Sequence, residues 1–96
     1  MGTRGQGRKA GPIELVLYSR PGCHLCDEMK ELIAQVLGDF GASLREVDVS
    51  TDPELEADYG KQIPVLLVNG KKAFKFRTTQ DALRERLQKA RDPGMC

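Results

Sequence analysis

An α/β fold, a four-stranded mixed sheet flanked by three helices in the order βαβαββα, is what this chain predicts. Three observations carry it. Short β-prone apolar runs alternate with stretches whose apolar residues recur at spacings of three and four. The first strand, helix and second strand form a βαβ unit, which should be parallel and right-handed. Asn69-Gly70 stands between two further β-prone runs and is the strongest short-range hairpin signal, so the last two strands should pair antiparallel. With 96 residues and 40% hydrophobic content there is material for one core, because half the chain could not enclose a second. The domain is expected at 13-91, between a basic tail at 1-12 and a short tail at 92-96. No internal repeat is visible.

The first tail holds Gly2, Gly5, Gly7 and Gly11 with Arg4, Arg8 and Lys9 and no acidic residue. Such a segment buries too little surface to offset its ordering entropy, and it reads as a solvated leader, with a weak basic arm for RNA or a membrane as the alternative. Ile13-Glu14-Leu15-Val16-Leu17-Tyr18 is apolar on both alternating faces, as in a strand enclosed by a sheet. Ser19-Arg20-Pro21-Gly22 has loop chemistry. Leu25, Met29, Leu32, Ile33, Val36 and Leu37 then mark one face of a helix about four turns long. Asp27 and Glu28 stand in its first turn, where the macrodipole favours acids, and Gly38 or Gly41 can end it.

Residues 44–49 read as the second strand. Ser50-Thr51-Asp52-Pro53-Glu54 opens a short helix that ends near Gly60, with a Ser, Thr or Asp cap and Pro in the first turn. The acidic run Asp52, Glu54, Glu56 and Asp58 is expected on its exposed side. Residues 65–68 form the third strand and 71–77 the fourth. In the fourth, Phe74 and Phe76 should point inward, and Lys71, Lys72, Lys75 and Arg77 should form a solvated face guarding an edge; a nucleic-acid platform is the alternative. Thr78 or Thr79 caps a last helix, with Leu83, Leu87 and Ala90 inward and a Glu85–Lys89 pair outward. Asp92-Pro93-Gly94 stops it.

Fifteen Lys and Arg against 14 Asp and Glu give a net charge of +1, too balanced for a dedicated nucleic-acid binder. The longest apolar run, residues 65–68, falls far short of the ~20 residues that span a bilayer. No apolar segment lies near Met1, so no secretory leader is expected. Gly2 lacks a Ser or Thr at the sixth position and Cys96 is the last residue, so neither lipidation pattern fits. Neither a nucleic-acid nor a membrane partner is expected, and the protein should act as a monomer. Three cysteines cannot make a disulfide scaffold, which favours a reducing, cytoplasmic setting.

Two of those cysteines form a C-x-x-C, Cys23 and Cys26. Cys23 falls at the mouth of the first helix, where unpaired backbone N–H groups and the positive end of the dipole stabilise a thiolate. The thiolate is the attacking species in disulfide exchange, and such motifs lower the thiol pKa. Cys26, one turn further in, lies on the same side of the helix and can close a disulfide with Cys23. Arg20 adds a fixed positive charge three residues earlier, and His24 another when protonated. Two other readings stand beside this one. The pair can be ordinary buried thiols. It can also bind metal, but a four-ligand zinc site would need Cys23, His24, Cys26 and Cys96, a spacing that suits zinc poorly, so no metal is assigned. Tyr18 either borders the redox site or belongs to the core, and Cys96 is expected to have no role, a regulatory disulfide being the alternative.

The stretch Leu17-Tyr18-Ser19-Arg20-Pro21-Gly22-Cys23-His24-Leu25-Cys26 resembles the glutaredoxin-like proteins of the thioredoxin superfamily, with a strand, Tyr-Ser, a basic residue and then the redox pair. A second anchor, Gln62-Ile63-Pro64-Val65, is similar to the family segment whose proline is cis and faces the active cysteines. The likeness covers about residues 13 to 90 and is nearest to the small glutaredoxin-like branch with Cys-His-Leu-Cys. It implies a thioredoxin-like fold with Cys23 as nucleophile, Cys26 as resolving thiol and Pro64 as a cis proline beside them. His24 would support the pair. Arg20, Gln62, Ile63, Pro64 and Asp81 would contact substrate, Arg20 matching the basic position that helps bind glutathione.

The chain departs from glutaredoxins proper in two places. The residues between the cysteines are His-Leu, and Phe76-Arg77-Thr78-Thr79-Gln80-Asp81 replaces a Gly-Gly followed by Asp. The reading is therefore a thiol–disulfide oxidoreductase with weak or no glutathione dependence. It would act on protein or low-molecular-weight disulfides with no bound cofactor, drawing electrons from glutathione or a dithiol. The alternative is a non-enzymatic module of the same fold that binds an iron–sulfur cluster or a protein partner.

Overall fold

A computed structural model describes residues 13–91; the basic tail, the Asp92-Pro93-Gly94 helix stop and Cys96 lie outside the described residues. The elements follow the expected order: β1 (Glu14–Ser19), α1 (His24–Phe40), β2 (Ser43–Asp48), a 3₁₀ turn (Val49–Thr51), α2 (Pro53–Tyr59), β3 (Val65–Val68), β4 (Lys71–Lys75) and α3 (Gln80–Arg91). The sheet order is β2-β1-β3-β4, parallel between β1 and β2 and antiparallel elsewhere. This is the thioredoxin-like α/β architecture.

One face of the sheet carries the core. Leu15 and Leu17 from β1 and Leu66 and Val68 from β3 meet Met29, Ile33 and Val36 of α1 and Leu83 and Leu87 of α3, all of them buried. The spacing of these residues on α1 is the amphipathic stripe read from the sequence. The opposite face is covered only in part. There Val16 and Tyr18 are half-buried, and α2, which buries no residue fully, approaches through a stack of Tyr59 on Tyr18 with centroids 4.5 Å apart. The first strand is thus enclosed on one face rather than both.

Local chemistry settles the element ends. Gly41, not Gly38, terminates α1, in the left-handed conformation with its N–H on the Leu37 carbonyl. Asp52 caps α2 by accepting from the Glu54 amide, while Ser50 and Thr51 belong to the 3₁₀ turn and Val49 is buried there. Asn69 and Gly70 both take positive φ, as the twist of a two-residue hairpin requires. The Asn69 side chain also accepts from the Glu14 amide at 2.9 Å. Thr79 caps α3 through the Ala82 amide. Glu85 and Lys89 are both exposed, and the expected ion pair between them does not form among the described residues.

The fourth strand needs the larger correction. Its register with β3 shifts between Leu66 and Leu67, leaving Ala73 as an extra residue between Lys72 and Phe74. A bulge of this kind interrupts the alternation of faces. Ala73 and Phe74 both pack against the core, and the strand ends at Lys75. Phe76, expected inward, is instead 42% exposed at φ 66.

Candidate functional site

The site grows from the C-terminal end of β1. Ser19 is buried there, and its hydroxyl donates to Glu46 on β2 at 2.8 Å. Lys30 of α1 reaches the other carboxylate oxygen of Glu46 at 3.1 Å. These bonds, the hydroxyl's first, hold the Glu46 carboxyl below its usual range. Asp48 is also held low, chiefly by the hydroxyl and then the amide of Ser50.

The chain turns through Arg20-Pro21-Gly22, with Gly22 at φ 79, where a side chain would be strained. The Cys23 amide closes the turn on the Arg20 carbonyl. Cys23 is the N-cap of α1: its backbone is extended and its Sγ accepts from the Cys26 amide at 3.1 Å. Cys23 is half-buried and Cys26 is 2% exposed. The two are joined as a disulfide, with Cα atoms 5.2 Å apart.

The Ile63–Pro64 peptide is cis and Pro64 is buried. Because Val65 pairs with Tyr18, Pro64 lies at the sheet end from which the cysteine turn departs. Ile63 beside it is half-buried. Gln62 turns towards α2 and the hairpin, donating to the Asp58 carbonyl and accepting from Lys72, both at 3.3 Å. The Lys72 ammonium also sits over the Tyr59 ring. Tyr18 therefore belongs to a half-buried aromatic stack at this end of the sheet. His24 projects into solvent and pairs with Glu28 at 2.9 Å. Asp81 is exposed in the first turn of α3, with no hydrogen bond or ion pair among the described residues.

Two flanks border the cysteines. On one, Arg20 Nη2 donates to Glu56 of α2 and to the Gly60 carbonyl at 3.1 Å. Glu56 is thus half-buried and partnered rather than on the solvated face expected of the acidic run. On the other, a groove of about 230 Å³ is lined by Leu25, Met29, Leu32, Phe76 and Thr78, with Glu28 and Arg77 at 4.0 Å from each other on its edge. Phe76 reaches it from a three-residue turn in which the Arg77 amide donates to the Lys75 carbonyl, a strained γ-turn for a residue of its size. The Phe76 amide donates to the Pro64 carbonyl at 2.8 Å, tying this turn to the cis-proline segment. The sequence carried no signal for Glu56 as a partner of Arg20, nor for the turn at the end of β4 that exposes Phe76. Among the described residues no three His, Cys, Asp or Glu side chains converge as metal ligands, and no helix is long and apolar enough to cross a membrane.

The model of the glutaredoxin-like domain (DUF836) matches residues 14–88. An uncharacterised protein of Mycobacterium tuberculosis is 26% identical over 76 residues, covering 74% of this chain and 78% of that protein. A structural-genomics protein of X. campestris superposes with a TM-score of 0.68 at 32% identity, covering 77% of this chain and 95% of that one. A mutant thioredoxin of Halobacterium salinarum superposes with a TM-score of 0.60 at 18% identity, covering 79% of this chain and 72% of that one, a likeness of fold alone.

Proposed function

This chain belongs to the glutaredoxin-like domain family (DUF836), and from that premise we propose that it is a thiol–disulfide oxidoreductase. One observation carries the reading. A half-buried Cys23 caps the helix and accepts the Cys26 amide, while its disulfide partner Cys26 is buried one turn further in. In the reduced protein the Cys23 thiolate, stabilised by that N–H and the helix start, attacks one sulfur of a substrate disulfide. A mixed disulfide forms and one substrate thiolate leaves and takes a proton. The Cys26 thiolate then attacks Cys23 Sγ, which closes the internal disulfide and releases the second substrate thiol. Two electrons pass from the protein dithiol to the substrate, and an external thiol or dithiol restores the starting state.

The groove beside Leu25 supports polypeptide disulfides as substrates, since an apolar side chain next to the substrate disulfide finds Leu25, Met29, Leu32 and Phe76 there. The test is reduction of insulin by the reduced protein. Cys23→Ser should lower the rate at least about a hundredfold, in keeping with loss of the attacking group, while Cys26→Ser should trap a mixed disulfide on Cys23. Equal rates for Cys23→Ser and the wild type would overturn the reading.

A further inference from the structure

We infer that Glu56 is a specificity-determining residue: its carboxylate pairs with the Arg20 guanidinium and turns the redox crevice against disulfides that carry a carboxylate there, leaving neutral or cationic polypeptide disulfides as the favoured class. The inference rests on the dithiol reading above and sharpens its substrate. Arg20 leads directly into the cysteine turn, and a partly buried guanidinium is a natural receptor for a carboxylate. In this chain one arm of that receptor is already engaged by an internal carboxylate. Nη2 serves both Glu56 and the Gly60 carbonyl. Nε is buried and has no hydrogen-bond partner among the described residues, so it is turned away from any incoming ligand.

The field around the pair points the same way. The crevice on this flank, about 340 Å³, is lined by Asp27, Glu46 and Asp48, and its second cation, Lys30, is bonded to Glu46. An incoming carboxylate would have to share the guanidinium with Glu56 or displace it, and would face three further acids.

Gly60 supplies an independent observation. It sits in right-handed helical geometry at φ −55, open to any residue. Yet a Cβ there would come within 2.5 Å of the Glu56 carbonyl and Oε2 and 3.0 Å of Arg20 Nη2. Glycine is required at 60 for space, and the space it leaves is the seat of the Arg20–Glu56 pair.

The test uses S-methylglutathione, which carries carboxylates but cannot exchange disulfides, titrated into the full-length protein and followed by amide chemical shifts. Glu56→Gln should bind at least about fivefold more tightly than wild type, a conservative share of one charge-assisted hydrogen bond. The shifts should centre on residues 20, 23 and 60. Glu56→Asp should stay near wild type, and Arg20→Gln combined with Glu56→Gln should lose the gain. A smaller gain, or one that survives removal of Arg20, overturns the inference. Should Glu56→Gln not fold, Glu56→Ala removes the same carboxylate and carries the same expectation. Reduction of a neutral disulfide by the wild-type protein is measured separately; it can fail while the binding gain stands, so the two readings are told apart.

Discussion

Arg20 and Arg77 are both guanidiniums facing a glutamate across the cysteine helix start, yet only one of them is held. Arg77 lies 4.0 Å from Glu28 with its side chain 73% exposed, the geometry of a surface pair that contributes little. Arg20 is half as exposed, at 36%, and is braced by Glu56 and by a backbone carbonyl in a space kept open by Gly60. The contrast extends to the ground around them. The Arg20 flank is charged and its groups pair with one another, Arg20 with Glu56 through Nη2 and Lys30 with Glu46, whereas the Arg77 flank offers an apolar groove and an exposed aromatic ring in a strained turn. Identical residue types thus sit in opposite surroundings, and on the proposed reading the two flanks would repel one kind of substrate and grip another.

The two flanks should differ most at Gly60. Gly60→Ala should cost about 1–3 kcal/mol of unfolding free energy, because its Cβ meets a fixed helix carbonyl as well as the ion pair. Gly38→Ala is the control: with nothing near its Cβ and a helical backbone, it should stabilise by about 0.5–1 kcal/mol. Denaturant unfolding of both variants checks this, and equal effects would mean the Arg20 flank is not tightly packed.

A smaller effect is expected where that flank joins the sheet. Ser19→Ala removes the hydroxyl that holds the Glu46 carboxyl low, and should cost about 1 kcal/mol at neutral pH after allowance for the exposure of Glu46. The sign follows from the direction of the shift. A carboxyl depressed in the folded state stabilises above its unfolded value of about 4.3 and ceases to as pH falls through the lower folded value. The gap between wild type and Ser19→Ala should therefore close below about pH 4, read from unfolding curves at stepped pH. A gap that persisted at pH 2 would assign the loss to packing.

Phe76→Gly should have the smallest effect on stability, a gain of up to about 1 kcal/mol as the left-handed strain is relieved. It should also slow reduction of peptide disulfides flanked by apolar residues several-fold relative to those flanked by serine. A clear loss of stability with unchanged selectivity would make Phe76 a packing residue and the groove incidental.

Much of this molecule was legible in its residues. The period of three and four from Leu25 to Leu37, the Asn69-Gly70 turn and the Pro53 helix start are local, and local chemistry decided them. The Cys23–Cys26 pair was also local, because a helix N-cap and the position three residues on face each other in any helix. What only tertiary structure decided lies between elements. Glu56 looked like one of four solvated acids, since helical periodicity does not say which of them meets a loop 36 residues away. Gly60 read as a helix terminator, but its dihedral angles would accept any residue, and it is the Glu56 carbonyl together with the Arg20–Glu56 pair that forbids a side chain. Phe76 stands two residues after the inward Phe74, but the strand stops at Lys75 and a left-handed turn carries Phe76 out of the alternation, and where a strand stops depends on its partner. Sequence determines the conformations that a residue and its near neighbours favour; which distant group fills the remaining space is settled when the chain closes on itself.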